Sequence, residues 1–184
     1  MIIVQQKPLE EILRMVENSR SLLILGCDGC AGIIEVGGER QAEVLKALLE
    51  LQRKKGGKPR KIKATSILRQ CDRHIVASSL GSLKAYDAVV SLACGVGVQT
   101  LAALYPDKLI IPANDTMFLG MHDMKEGKFY EMCRACGDCI LFETGGICPI
   151  TRCAKSLLNG PCGGQSKGKC EVGGWKKDCA WVLI

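Results

Sequence analysis

The 184-residue sequence has few aromatic side chains and only two histidines. Phe, Trp and Tyr make up 4% of the residues, which argues against a base-stacking nucleic-acid surface and against an aromatic-lined ligand groove. His74 lies where a helix is predicted to begin, and His122 lies in a connecting segment. We therefore assign neither histidine as a metal ligand.

The sequence also lacks a leader-like start and any apolar run of bilayer length. Its first residues, MIIVQQKPLE, turn polar at once, unlike a secretory leader. No apolar run approaches the ~20 residues needed to cross a membrane. We therefore expect a cytoplasmic protein without a membrane span. Because thiols stay reduced in that compartment, the twelve cysteines are expected to bind metal and not to form disulfides.

The net charge of +6 is modest, and the most basic run lies at residues 53–61. Such a run could contact nucleic acid or an acidic protein partner. No recognised nucleic-acid-binding motif accompanies it, and its Gly and Pro residues are typical of a turn. We expect a solvated connection and no nucleic-acid partner, while a charged docking edge for a protein stays open.

Short apolar runs separated by helical patterns predict an α/β fold with a Rossmann-like parallel sheet. The expected strands span residues 21–25, 62–68, 88–92 and 109–112. We expect the strand order 2-1-3-4, because the loops after the first three strands can then meet. This domain is placed at residues 1–116. A small, irregular cysteine-rich metal-binding domain is placed at residues 117–184.

Four cysteines follow the ends of the first three predicted strands: Cys27, Cys30, Cys71 and Cys94. The carboxyl ends of parallel strands form the edge where such sheets bind ligands, so we expect the four thiolates to converge on one Cys₄ site. A dinucleotide is the rival ligand, but residues 26–32 (GCDGCAG) fail the G-x-G-x-x-G spacing and no convincing acidic residue ends the second strand. A second alternative is four buried apolar cysteines without a ligand.

Eight further cysteines lie between residues 133 and 179. A Cys-x-x-Cys-x-x-Cys run followed by a Cys-Pro pair resembles the opening of bacterial iron–sulfur segments, although the pair stands further away here. Eight thiolates suffice for two clusters, or for one cluster and one Cys₄ zinc, and their spacing does not reveal the pairing. The candidate metal ligands are Cys133, Cys136, Cys139, Cys148, Cys153, Cys162, Cys170 and Cys179.

Residues 117–184, here called the tail, also resemble a known cysteine-rich domain. Its segments CRACGDC, TGGICPITRCAKSLLNGPCGG, GKCEV and DCAWVLI resemble the C-terminal-type domain of methylenetetrahydrofolate reductase. Together with the cysteine-bearing half before it, the whole chain resembles the small V subunits (MetV-like) of this reductase in one-carbon-metabolising anaerobes.

This resemblance implies an iron–sulfur subunit that relays electrons to the flavin of a partner reductase subunit, a TIM barrel, in the acetyl-CoA pathway of one-carbon metabolism. It implies one [4Fe–4S] cluster on the first four cysteines and one or two in the tail, with ferredoxin or another electron-carrying subunit as donor. The chain is too short for the barrel, so we assign it no catalytic residue.

Two alternatives stay open beside that interpretation. The first is a zinc-stabilised structural or assembly module of the same complex without a redox role, because Cys₄ is also a structural zinc set. The second is an accessory to a corrinoid protein or methyltransferase. That accessory would hold its cofactor over the sheet edge that the first four cysteines are expected to occupy.

Overall fold

The computed structural model describes residues 1–54 and 61–184. The connection expected within the basic run at 53–61 therefore lies largely outside the described residues. The chain divides into two compact units, Met1–Met117 and Phe118–Ile184. No helix in the described part of the chain is long and apolar enough to cross a membrane.

The first unit alternates strands with helices, as the apolar runs of the sequence predict. Its elements are β1 (Ile2–Gln6), α1 (Leu9–Met15), β2 (Ser21–Cys27), α2 (Cys30–Ile33), α3 (Glu39–Lys54), β3 (Lys61–Ile67), α4 (Arg73–Ser79), β4 (Ala88–Ser91), α5 (Gly95–Leu104) and β5 (Leu109–Pro112). A further strand, β6 (Asn114–Asp123), begins in this unit and continues past its boundary.

A four-stranded parallel sheet with the order β3-β2-β4-β5 forms the centre of the first unit. β2 pairs with β3 over its whole length, and its residues Leu22–Leu25 pair with Ala88–Ser91 of β4. The four predicted strands keep the expected neighbours. The full strand order nevertheless differs from the expectation, because the structure has a second sheet, with the order β1-β6-β7, that was not predicted. Its third strand, β7, spans Lys128–Cys133.

Apolar side chains cover both faces of the parallel sheet. Leu22 and Ile24 of β2 pack with residues of α1 and α3, while Leu23 and Leu25 pack with residues of α4 and α5. Successive side chains of a strand point to opposite faces, so a run buried on both sides has to be apolar throughout. This requirement explains why SLLIL forms the central strand.

The second unit begins with a hairpin that the sequence analysis treated as a connecting segment. β6 and β7 pair antiparallel, with Asp123 opposite Lys128 at the turn. The Asp123 carboxylate accepts the amides of Lys125 and Glu126, and Gly127 has a φ of 62°. Two short helices follow, α6 (Pro149–Arg152) and α7 (Ala180–Leu183).

The second unit has almost no apolar core. Among its described residues, the buried apolar side chains are Pro149, Cys179 and Ala180, whereas Phe142 is 95% and Met124 84% exposed. Units of this size that bury little apolar surface ordinarily depend on disulfides or metals. The stability of this unit must therefore come largely from something other than apolar burial.

Replacing a central β2 side chain should destabilise the first unit far more than the same change on its surface. Leu22 is fully buried, whereas Leu51 on α3 is 53% exposed. We expect Leu22→Ala to lower the free energy of unfolding by about 2–5 kcal/mol and Leu51→Ala to change it by less than about 0.5 kcal/mol. Urea unfolding followed by circular dichroism measures both, and equal losses would contradict the central position of β2.

Candidate functional site

The carboxyl edge of the parallel sheet carries four cysteines, here called the sheet-edge group (Cys27, Cys30, Cys71 and Cys94). Cys27 is the last residue of β2 and Cys30 the first of α2, Cys71 follows β3, and Cys94 is the N-cap of α5. Cys27 and Cys94 are buried, Cys30 is partly buried, and Cys71 is exposed. None of the four forms a disulfide.

The Cys27 sulfur lies among groups that act on its charge in opposite directions. Burial raises the pKa of Cys27 most, and the thiols of Cys71 and Cys94 raise it further by charge repulsion. The backbone amides of Gln70 and Gly29 donate to the sulfur and lower the pKa, but its net value stays above that of a free thiol. The thiols of Cys71 and Cys94 therefore lie near enough to Cys27 to act on its charge, and Cys30 stands three residues from Cys27 in the sequence.

Gln70, which no sequence pattern had indicated, connects the ends of the central strands β2 and β4. Its side chain is fully buried. Nε2 donates to the carbonyls of Leu25 at 2.9 Å and Gly26 at 3.0 Å, and Oε1 accepts the Ser91 hydroxyl at 2.6 Å. A single Gln in a polar loop sequence carries no signal of such burial.

Close backbone approaches hold the loop after β2. The Cys27 amide donates to the Gly37 carbonyl at 2.8 Å. A Cβ on Gly37 would lie 2.0 Å from the Leu92 carbonyl oxygen, so no larger residue fits there without a backbone shift. The Asp28 carboxylate accepts the hydroxyl of Ser66 on β3 at 2.6 Å. These contacts tie the Cys27 loop to the ends of both neighbouring strands.

In the second unit, four cysteines form the run group (Cys133, Cys136, Cys139 and Cys148). The Cys-x-x-Cys-x-x-Cys run begins at the last residue of β7, and Cys148 is the N-cap of α6. The Thr151 hydroxyl oxygen of α6 lies 3.3 Å from the Met132 carbonyl oxygen of β7. The end of β7 and the beginning of α6 therefore lie side by side, which brings Cys148 to the run.

The first turn of α6 makes Cys148 more acidic than an ordinary thiol. Burial works to raise the pKa of Cys148, but the hydroxyl and amide of Thr151, the amide of Ile150 and the charge of Arg134 together lower it by more. Amides at the start of a helix favour a thiolate, and the thiolate is the form that binds metal.

The remaining four tail cysteines form the cavity group (Cys153, Cys162, Cys170 and Cys179), because all of them line one small cavity. Lys155 and Trp181 line the same cavity. The Lys155 ammonium lies 3.7 Å from the Cys162 sulfur and forms an ion pair with Glu171. The structure thus places four of the eight tail cysteines around one cavity, a grouping that their spacing in the sequence had left open.

The described side chains do not converge on a single-ion site. In residues 1–54 and 61–184, no group of three or more His, Cys, Asp or Glu could hold one metal ion as placed.

Comparison with known proteins gives one finding on the tail. A family described as "Methylene-tetrahydrofolate reductase C terminal" matches residues 111–184. This match confirms the predicted resemblance of the tail to a reductase C-terminal domain, but it covers less than half of the chain. No match was found among curated proteins or among solved structures.

A methyl group added at Gly37 should disturb the sheet edge, because its Cβ would meet the Leu92 carbonyl. We expect Gly37→Ala to lower the free energy of unfolding by about 1–3 kcal/mol. Gly81→Ala is the matched control, since an added Cβ there meets nothing within 4 Å. Urea unfolding of both variants measures the difference, and a neutral Gly37→Ala would show that the two loops can separate without cost.

The two shifted thiols should titrate on opposite sides of an ordinary cysteine in the reduced, metal-free chain. Because the pKa of Cys148 is lowered and that of Cys27 raised, Cys148 should become a thiolate at lower pH than Cys27. Alkylation rates against pH, resolved by peptide mass spectrometry, would give the two midpoints. The reverse order would contradict the hydrogen bonds assigned to Cys148.

Proposed function

We propose that this chain is an iron–sulfur electron-transfer subunit of the small V (MetV-like) type, which relays electrons to the flavin of a partner methylenetetrahydrofolate reductase subunit in one-carbon metabolism. The observation that carries the proposal is the placement of twelve cysteines, none of them in a disulfide, in the sheet-edge group, the run group and the cavity group. Two of these groups lie in a tail similar to the C-terminal region of that reductase. Four thiolates are the ligand set of one [4Fe–4S] cluster.

The sheet-edge group has the surroundings that a cluster needs. The amides of Gln70 and Gly29 donate to the Cys27 sulfur, and hydrogen bonds to sulfur are one means by which proteins set cluster potentials. Cys27 and Cys94 are buried, which limits access of water.

Cationic side chains lie beside the tail thiols. The pKa of Lys155 is raised, chiefly by its hydrogen bond to Glu171, so its ammonium stays charged next to the Cys162 sulfur. Arg134 acts on Cys148 in the same sense. Thiolate-bound clusters are anionic, and these cations would offset part of that charge. When bound, the clusters would supply one-electron transfer.

The proposal gives the chain a supporting role beside two partners. Its four-stranded parallel sheet is not the eight-stranded barrel of a folate-reducing subunit, so the reaction on folate would belong to the partner. Electrons would enter from ferredoxin or another electron-carrying subunit. The residues of this chain would hold the clusters, shield them from water and set their potentials.

A second candidate is a zinc-stabilised assembly module of the same complex without a redox role. The observation that favours it is the scarcity of buried apolar side chains in Phe118–Ile184. Structural zinc contributes folding free energy directly in domains of this kind. The Cys-x-x-Cys-x-x-Cys run that opens the tail is the observation that favours clusters over zinc.

Metal analysis of one variant per group tests both candidates. Iron, acid-labile sulfide and zinc would be measured in chain purified without oxygen, together with Cys71→Ser, Cys139→Ser and Cys170→Ser. We expect about eight irons if the tail holds one cluster and one zinc, or about twelve if it holds two clusters. Each variant should lose only the metal of its own group, and Gly81→Ala should lose none.

Other metal contents would decide against the proposal. Zinc alone in all proteins, without iron or visible absorbance, would replace the electron relay with the assembly module. A single tail variant that emptied both tail groups while the fold persisted would contradict the division into a run group and a cavity group.

A further inference from the structure

We propose that Gln70 is a positioning residue for the sheet-edge group. Its side chain holds the ends of β2 and β4 together with its own loop, in the arrangement in which Cys27, Cys71 and Cys94 meet. The positioning role of Gln70 does not depend on the proposed function. Only the identity of the group that these thiols bind rests on it.

The hydrogen bonds of Gln70 end close to the thiols in the sequence. Its partners Leu25 and Gly26 directly precede Cys27, and Ser91 lies three residues before the cysteine that follows β4. Gln70 itself directly precedes Cys71. One buried side chain therefore fixes all three loops near the positions where their sulfurs emerge.

The chemistry of the contact requires a side chain with both a donor and an acceptor. Carbonyl oxygens only accept, so the Gln70 NH₂ group must face Leu25 and Gly26, and its oxygen must face the Ser91 hydroxyl. A glutamate would set a second acceptor against the carbonyls, and a methionine would offer neither group. Because Gln70 is fully buried, water cannot replace the lost bonds.

Packing against α5 prevents the Gln70 side chain from moving away. A Cβ on Gly97 would lie 2.8 Å from the Gln70 Cβ and 2.7 Å from the Ala93 Cβ. The helix therefore approaches Gln70 as closely as a glycine allows. Cys94 is the N-cap of the same helix, so Gln70 and this cysteine are held to one rigid element.

Gln70 acts beyond the regular pairing of the two strands. The backbone ladder between β2 and β4 ends at Leu25 and Ser91, and the Leu92 amide adds a bond to the Leu25 carbonyl at 2.9 Å. The sheet thus has its own hydrogen bonds up to its edge. Loss of the Gln70 side chain should disturb the thiol-bearing loops more than the sheet.

Three variants of the full chain separate positioning from stability. Gln70→Met removes the amide while keeping the side-chain length. Gln70→Met combined with Ser91→Ala also removes the hydroxyl whose proton would otherwise lose its acceptor, and such paired replacements recover much of the lost stability. Gln52→Met is the matched control, because Gln52 is exposed on α3.

The first readout requires no cofactor. In the reduced, metal-free chain, a short thiol-bridging reagent would join cysteines that lie close together, and peptide mass spectrometry would identify the pairs. We expect bridges from Cys71 to Cys27 or Cys94 in the wild type and in Gln52→Met. Both Gln70 variants should show a several-fold loss of these bridges, while circular dichroism shows that the double variant remains folded.

The second readout is made on the iron-loaded chain. Replacing a residue that holds metal ligands in place typically lowers metal affinity by about 10–100-fold. A chelator should therefore remove the sheet-edge iron of both Gln70 variants at correspondingly lower concentration. The reduction potential of that centre should also shift, while the tail centres keep theirs.

The outcomes distinguish this inference from the proposed function. Wild-type bridging in Gln70→Met would overturn the positioning role, as would a double variant that regains wild-type bridging together with its stability. Loss of bridging in the Gln70 variants of a chain that binds no iron would support the positioning role and overturn the electron-relay function instead.

Discussion

Parallel pairing of β2 with a neighbour on each side determines where the chemistry of the first unit lies. Because β3 and β4 both run in the direction of β2, the loops after all three strands emerge at one edge of the sheet. The sulfur of Cys27 can then interact with those of Cys71 and Cys94, although the three lie far apart in the sequence. The hydrogen bonds of Gln70 and the close approach of Gly37 to Leu92 both depend on this pairing.

The two units achieve order by different means. In the first, apolar clusters on both faces of the sheet supply the stabilisation, and the cysteines sit on a scaffold that does not depend on them. In the second, scarcely any hydrophobic side chain is buried, and several non-glycine residues, including Ala135 and Trp175, have positive φ. Such conformations persist only when the surroundings enforce them. Order in this unit therefore has to come from contacts other than apolar burial.

Local sequence predicted the elements that apolar patterns define and missed those that tertiary contacts create. The run SLLIL identified β2, and cysteines at strand ends identified the edge where they lie. The β6–β7 hairpin was missed because Asn114–Cys133 contains almost no β-branched residues and no clear alternation. Gln70 was missed because its burial depends on Ser91 and on the approach of Gly97, neither of which is near it in sequence. The division of the tail cysteines needed the fold, since Cys148 and Cys153 are five residues apart yet belong to different groups.

The scarcity of buried apolar surface in the second unit also bears on how heat and cold act on the chain. The heat-capacity change of unfolding comes mainly from apolar surface that becomes hydrated. With little such surface to expose, residues 118–184 should have a small heat-capacity change and a stability that varies almost linearly with temperature. The first unit, with its two apolar clusters, should show the usual curved profile with an optimum. Cooling would therefore lower the stability of the first unit well before it lowered that of the second.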